Sequence, residues 1–517
     1  MSAQTEVQTA AGTVRGRVER DVVRWRAIPY AAPPVGDLRL RAPQPVAKWT
    51  GVRDATQYAN ASVQGRKGAF LRPRVYQPTD EDCLTLNVVA PREPSAAPRP
   101  VLVFIHGGGY TFGTSALELY SGVGLVRRGD IVYVSVNYRL GALGYLDFTQ
   151  FSTPERQFDS NLGLRDQVAA LDWVQHNISA FGGDPDNVTI MGESAGGAAV
   201  TTLLATPAAK GLFQRAIAQS SPADWAISRE EAAHWAREFV AILGVTDDPA
   251  NALASVDAQD FRRAGNRVAN LCLKERPGML AMVPVVDGDF LPESPISAYA
   301  NGNATAVPLI CGSNHDEGTL WAKYLDVLPT NPERVDLLLK QTNPEPGVKE
   351  RIVAAYPGYP AVDDAIRIGG DYLFLRPTLA VCDAHSAHAP TYNYRYDFAP
   401  RLLNRIGLGA AHATEMFAVF GFGNTAFGRS LTALGGRRGL RAATETMQGH
   451  WLSFAKYGAP LTSWPAYTTE LRRTLVIDAT SRVVSDVNAD RRLAWQSAVG
   501  QYDADPATIA ATTNSVA

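Results

Sequence analysis

Gly192-Glu193-Ser194-Ala195-Gly196 sets a serine between two glycines, after the β-branched run Val188-Thr189-Ile190 and before an Ala/Leu-rich stretch. A strand, a sharp turn and a helix in that order lift a hydroxyl out of a sheet, the nucleophile-elbow pattern. The flanking glycines leave room for the strained backbone that such a turn imposes on the serine. A serine hydroxyl attacks poorly at neutral pH unless a base lies within hydrogen-bond reach and a carboxylate orients that base. The chemistry to look for is therefore acyl transfer through a covalent intermediate.

In this pattern the partners follow in the order serine, acid, histidine. The chain has eight histidines. Those beyond the acid fit the order for a base, and His412 ends Gly407-Leu408-Gly409-Ala410-Ala411-His412, a loop that leaves an imidazole uncrowded. Asp316 and Glu317 lie just past the apolar run at Leu309-Ile310-Cys311, where ligand and catalytic groups collect in open α/β sheets. Spacing leaves both acids open. His106-Gly107-Gly108-Gly109-Tyr110 follows the run ending at Ile105 and offers backbone N–H groups, together with that of Ala195, to a developing oxyanion. Rival motifs are thin: Ser453-Phe454-Ala455-Lys456 matches SxxK without a following KTG, and no HExxH is present.

The elements that must hold these groups alternate between strand-like and helix-like stretches, which predicts an α/β fold with a mostly parallel sheet and helices on both faces. Strands are expected at Leu86 to Val89, Val101 to Ile105, Ile131 to Val136, Val188 to Ile190, Ala216 to Ala218, Leu309 to Cys311, Tyr392 to Tyr396 and Leu475 to Ile477. Leu164, Val168, Leu171, Val174 and Ile178 keep helical spacing until Gly182-Gly183 stops them. Residues 1–517 read as one elaborated domain, with segments near 221–306 and 321–405 inserted as pocket wall and lid, and 503–517 as a frayed tail.

A net charge of −2 with mixed signs gives no footprint for nucleic acid, and the Arg66, Lys67, Arg72, Arg74 cluster reads as a solvated loop. No run approaches the roughly 18 apolar residues of a membrane span, and Met1 to Glu6 carry no signal-peptide pattern, so a cytoplasmic site is expected. Cys83, Cys272, Cys311 and Cys382 lie far apart, with no CxxC, and read as buried small hydrophobes; no metal and no cofactor is expected.

Two longer strings carry a family resemblance over nearly the whole chain: Phe181 to Gly196 around the serine, and Glu81-Asp82-Cys83-Leu84-Thr85-Leu86-Asn87-Val88. They resemble the type-B carboxylesterase and cholinesterase-like family of α/β hydrolases, most nearly its bacterial para-nitrobenzyl-esterase type. The resemblance implies a serine esterase acting on small neutral, partly hydrophobic esters, with Ser194 as nucleophile, His412 as base and Glu317 as the triad acid. It implies Gly108, Gly109 and Ala195 as oxyanion donors, and Tyr110, Phe112, Glu193, Leu320 and Trp321 along the pocket. Arg39 with Glu81 and Arg139 with Asp166 match its buried ion pairs. Some relatives are binding modules that lack the serine; this chain keeps all three groups. It also departs from the secreted members, since no cysteine precedes Cys83 and no tryptophan lies between Val63 and Asp80, which predicts an unbridged loop and no choline-ester preference.

Overall fold

The apolar runs align side by side because each is wide enough to be covered on both faces. In the computed structural model, which describes residues 5–72, 74–324, 327–342 and 347–496, they form an eleven-stranded sheet. In chain order its strands are β1 (Arg17–Glu19), β2 (Val22–Pro29), β3 (Thr85–Pro91), β4 (Arg99–Ile105), β5 (Val132–Val136), β6 (Gly183–Glu193), β7 (Arg215–Gln219), β8 (Leu309–Asn314), β9 (Thr391–Tyr396), β10 (Arg473–Ile477) and β11 (Arg482–Ser485). Across the sheet they run β11-β10-β9-β8-β7-β6-β4-β5-β3-β2-β1. The stretch from β10 to β5 is parallel throughout. Antiparallel strands flank it on both sides. This is the α/β-hydrolase fold.

Side chains alternate between the two faces, as strand geometry requires. Val101, Val103, Ile105, Val188, Ile190 and Leu309 enter one core cluster, while Leu102, Phe104, Met191, Ile217 and Ile310 enter the other. The helices that bear on the site include α1 (Leu162–Asn177), α2 (Ala195–Leu204), α3 (Arg229–Ile242), α4 (Ala258–Glu275), α5 (Gly318–Tyr324), α6 (Val362–Gly370), α7 (Arg376–His385) and α8 (Arg437–Tyr457). Leu164, Leu171 and Val174 of α1 cover the first face; Leu440, Met447, Trp451 and Phe454 of α8 cover the second.

Each of the eight expected strands is present. Strands β1, β2 and β11 were not legible, and β2 has a physical reason. Its Val-Val-Arg-Trp-Arg-Ala-Ile-Pro run is broken by a bulge between Trp25 and Ile28, where Ala27 takes φ 57° and donates its N–H to the Asn87 amide oxygen. Arg24 and Arg26, which spoil the apolar pattern, both pair with Glu19. Helices α3 and α4, with two shorter helices at Pro249–Ser255 and Pro295–Ala300 and a strand pair of Ile227–Ser228 with Val285–Val286, make up most of 221–306. The 321–405 segment includes β9, so the excursion between β8 and β9 closes at residue 390, and the segment ends beyond that strand in a short helix, Arg401–Arg405. The 503–517 tail lies outside the described residues.

Arg66, Lys67, Arg72 and Arg74 are exposed, and all four cysteines are free and buried. No helix among the described residues is long and apolar enough to cross a membrane. Both ion pairs form. Arg39 Nε lies 2.8 Å from Glu81 Oε2, and its Nη1 donates to Val256 O at 2.6 Å, tying the 253–256 segment to the N-terminal loops. Arg139 is forked on Asp166, with Nε to Oδ2 at 2.8 Å and Nη2 to Oδ1 at 2.6 Å, and Asp166 is completely buried. Removing one member of such a pair strands the other charge. Arg139→Met is expected to lower stability by about 3–5 kcal/mol in chemical unfolding; a loss below about 1 kcal/mol would show that Asp166 finds another partner or a proton.

Candidate active site

The turn from β6 into α2 works only without side chains at its flanks. A Cβ on Gly192 would lie 2.2 Å from Gly196 O, and one on Gly196 would lie 2.1 Å from Ile105 O. Between them Ser194 takes φ 59° and ψ −126°, a conformation that costs a non-glycine residue about 1–3 kcal/mol. Its N–H donates to Gln219 O at 3.0 Å, and its carbonyl accepts from Ala198 N at 2.8 Å, so β7 and α2 hold the strained residue from both sides.

His412 reaches this turn from the β9 side of the sheet. Its Nδ1 stands 2.6 Å from Glu317 Oε2, and both side chains are buried. The other oxygen, Glu317 Oε1, accepts from Ser220 Oγ at 2.6 Å and from Asn314 N at 2.7 Å, which fixes the carboxylate plane. Geometry separates the two acids that spacing left open. Asp316 instead holds the histidine loop: its Oδ2 accepts from Ala410 N at 2.9 Å, while Asp316 N donates to Ala410 O at 3.0 Å. Two aromatic rings pack on the imidazole, Phe374 stacked at 4.5 Å and 29° and Trp321 tilted at 5.2 Å, and they stack on each other at 6.3 Å. Phe374 belongs to a π-helical turn, Asp371–Leu375, inserted between α6 and α7. Such single-turn insertions often re-aim a side chain at a functional site.

Three carboxylates surround the ring. His412 Nε2 lies 3.2 Å from Glu193 Oε1 without forming a hydrogen bond, and neither atom has a hydrogen-bond partner among the described residues. Glu415 is fully buried and accepts from Asn314 Nδ2 at 2.5 Å and Gln219 Nε2 at 3.3 Å. Burial pushes the Glu415 carboxyl up to about 8, with Glu193 and Glu317 adding to the rise. Burial likewise raises Glu193 to about 7, against the attraction of His412. For His412 burial works the other way, but Glu193 and Glu317 outweigh it and lift the imidazole to about 9.

The glycine loop after β4 lies against the elbow, since a Cβ on Gly107 would stand 2.5 Å from Glu193 O. Thr111 N and Phe112 N both donate to Gly108 O, at 3.0 and 3.1 Å, which folds the loop back on itself. The N–H groups of Gly108, Gly109 and Ala195 donate to nothing among the described residues. Of the residues expected along the pocket, Phe112 is 43% exposed and Leu320 half-buried. Trp321 and Glu193 are buried beside His412. Tyr110 is fully buried with its ring 4.3 Å from that of Tyr145, so it props the loop from behind.

A sequence model described as the carboxylesterase family matches residues 3–495. The chain belongs to the carboxylesterase family. It is 38% identical to the para-nitrobenzyl esterase of Bacillus subtilis over 495 residues, covering 94% of this chain and 97% of the relative. It is 32% identical to the phenmedipham hydrolase of Pseudarthrobacter oxydans, covering 93% and 96%. Among solved structures, a PNB esterase superposes with a TM-score of 0.85 at 37% identity, over 95% of this chain and 99% of that one. A Geobacillus stearothermophilus carboxylesterase superposes at 0.81 and 35%, over 95% and 100%. This carboxylesterase is a carboxylic ester hydrolase, and the Ser-His-Glu set is the one that suits its family.

Sequence reasoning missed Ser220, Asn314, Gln219 and Phe374, and gave Glu415 no role of its own. Single polar or aromatic residues in unremarkable strings carry no periodic signal; strand order brings Ser220, Asn314 and Gln219 to the acids around the imidazole, and a π-helical turn brings Phe374 to the ring. The charge balance around that imidazole is testable. An imidazole must be neutral to accept a proton, so a raised pKa places the acid limb of the kcat/KM profile at high pH. Glu193→Gln removes one of the charges that hold the proton on His412, and the limb is expected to move to lower pH by about one unit. An unmoved limb would exclude Glu193 from the balance.

Proposed function

We propose that Ser194 is the nucleophile, His412 the general base and then general acid, and Glu317 the carboxylate that orients it, in the hydrolysis of small neutral, partly hydrophobic esters. The observation that carries the reading is the 2.6 Å Glu317–His412 contact, with the partnerless Nε2 of that ring beside the residue preceding Ser194. Glu317 binds the Nδ1 proton and leaves Nε2 to take the proton of Ser194 Oγ as it attacks the ester carbonyl. The N–H groups of Gly108, Gly109 and Ala195 receive the oxyanion, each such donor contributing about a hundredfold to a thousandfold in rate. The imidazolium returns its proton to the departing alcohol. A water deprotonated by the same nitrogen then cleaves the acyl-enzyme.

Several features support the substrate class. Phe112, exposed at the end of the glycine loop, and half-buried Leu320 offer apolar side chains, buried Trp321 and Phe374 pack on His412, and the carboxylates of Glu193 and Glu317 repel an anionic acyl group. The name of the Bacillus relative makes para-nitrobenzyl esters the first to try. We read residues 1–517 as one elaborated domain whose 221–306 and 321–390 excursions build the pocket. We read the protein as cytoplasmic, which suits a Cys83 with no upstream partner. It needs no cofactor, metal or nucleic-acid partner for this chemistry.

Ser194→Ala is expected to keep the folded circular-dichroism signal and lose p-nitrophenyl ester turnover by about 10⁴-fold or more. Labelling by a fluorophosphonate should vanish with it. A variant that still labels or turns over would place the nucleophile elsewhere. Across p-nitrophenyl esters of graded acyl length, neutral acyl groups should be preferred, and a strong preference for charged ones would overturn the substrate class.

A further inference from the structure

The segment 59–83 ends at a free cysteine, yet its described residues, 59–72 and 74–83, are tied to their surroundings. Its neck is closed by backbone pairing: Ala61 bridges Thr79, Ala61 N donates to Pro78 O at 2.9 Å, and Asp80 N donates to Ala61 O at 3.0 Å. Beyond the neck, two buried glutamines leave the segment and grip the end of the glycine loop. Gln64, 2% exposed, makes both hydrogen bonds that an amide can exchange with one residue's backbone: Nε2 donates to Gly113 O at 2.7 Å, and Oε1 accepts from Gly113 N at 2.8 Å. Its second amide hydrogen has a partner too, since Nε2 also reaches Ser62 O at 3.0 Å. Gln77 Oε1 accepts from Thr114 Oγ1 at 2.7 Å, one residue further on.

Gly113 is where such a grip matters. It takes φ 122°, and a Cβ there would lie 2.5 Å from His106 Nδ1, so the loop's end is pressed against the residue at its start. The start is fixed by Tyr138, whose hydroxyl donates to His106 O at 2.6 Å and whose ring stacks on His106 at 4.7 Å. The middle hangs on Gly141 N, which donates to Tyr110 O at 2.7 Å. Between these anchors lie Gly108 and Gly109, at φ 117° and 57°, whose N–H groups are aimed by the loop's shape alone. Releasing one end of so short a turn lets its free donors drift, and donors act on an oxyanion only when held within a fraction of an ångström.

We propose that Gln64 is a positioning residue for the oxyanion loop: its reciprocal amide pairing with Gly113 lets the unbridged 59–83 segment set where the N–H groups of Gly108 and Gly109 point. The segment thereby acts on rate. This rests on the assignment of Ser194 and the glycine loop under the proposed function. A disturbance confined to packing would lower stability, or alter binding of the ground-state ester, without singling out the tetrahedral state.

The test compares wild type with Gln64→Met, which keeps the volume and loses both hydrogen bonds to Gly113 together with the one to Ser62 O, and Gln64→Glu, which keeps the acceptor for Gly113 N. Each is measured for kcat and KM on a p-nitrophenyl ester and for inhibition by an aryl trifluoromethyl ketone. That ketone forms a hemiketal, its carbon bonding Ser194 Oγ while His412 takes the hydroxyl proton and the ketone oxygen becomes the oxyanion. Gln64→Met is expected to lose about tenfold to a hundredfold in kcat and as much in affinity for the ketone, with KM changed less than about twofold. Gln64→Glu should fall between it and wild type. Folded variants with kcat and ketone affinity within about twofold of wild type would overturn the proposal, as would a loss confined to KM. If neither variant folds, Gln64 is a fold determinant only and the proposal fails as well. Wild-type enzyme that fluorophosphonate does not label would instead sink the nucleophile assignment, a separate outcome from an unchanged Gln64→Met.

Discussion

Backbone passing against backbone with no side chain between is the constraint on which this molecule is built. Gly107 meets Glu193 O, Gly192 meets Gly196 O, Gly196 meets Ile105 O and Gly197 meets Gln219 O, each at a distance that forbids a Cβ. These approaches let β4, β6, β7 and α2 converge on one residue. The convergence offsets the strain of Ser194, whose backbone is pinned by hydrogen bonds in two directions. It also explains why the serine, the glycine loop and the acid lie at the same end of the sheet. All follow the carboxyl ends of parallel strands, where a loop can turn over the sheet edge into open space.

Electrostatics adds a second layer. Glu193, Glu317 and Glu415 share one buried region with a single imidazole. Three full charges there would be prohibitively costly, and the cluster avoids them by keeping protons. Burial and the other two acids push Glu415 up to about 8, which favours its neutral form. The acids nearest the ring can then favour the imidazolium that forms when a hydroxyl gives up its proton. Phe374 stacks on one face of the ring with Trp321 tilted beside it, and the carboxylates meet its two nitrogens, which fixes its plane as well as its charge.

Much of this was legible from the chain, and what was not has a common cause. The elbow, the glycine loop and the eight inner strands are written in contiguous strings, because each depends on its own backbone conformation or on its own apolar run. The choice between Asp316 and Glu317 is not local. Both acids are used, one to hold the Gly409-Ala410 turn and one to meet Nδ1; spacing does not tell them apart, the family resemblance names Glu317, and the placement of the histidine loop shows why. Ser220 and Asn314 matter because β7 and β8 are neighbours, which sequence order alone does not encode. Phe374 reaches His412 through a π-helical turn, a register change with no compositional mark. Strand β2 hid behind two arginines whose charges are taken up by Glu19.

The unbridged loop shows how the same geometric end can be met by different physics. A disulfide acts largely on the unfolded chain: closing a loop of about 15 residues removes entropy equivalent to roughly 3 kcal/mol and is indifferent to how the closed loop sits on its neighbours. Paired amides act on the folded state alone. Each contributes only about 1 kcal/mol net, but leaving a buried partner unsatisfied costs more, so the arrangement is specified more strongly than it is stabilised. In this chain the specification falls on Gly113 and Thr114, at the exit of the glycine loop. The positional information that a covalent bridge would leave to packing is carried here by hydrogen bonds that touch the loop directly.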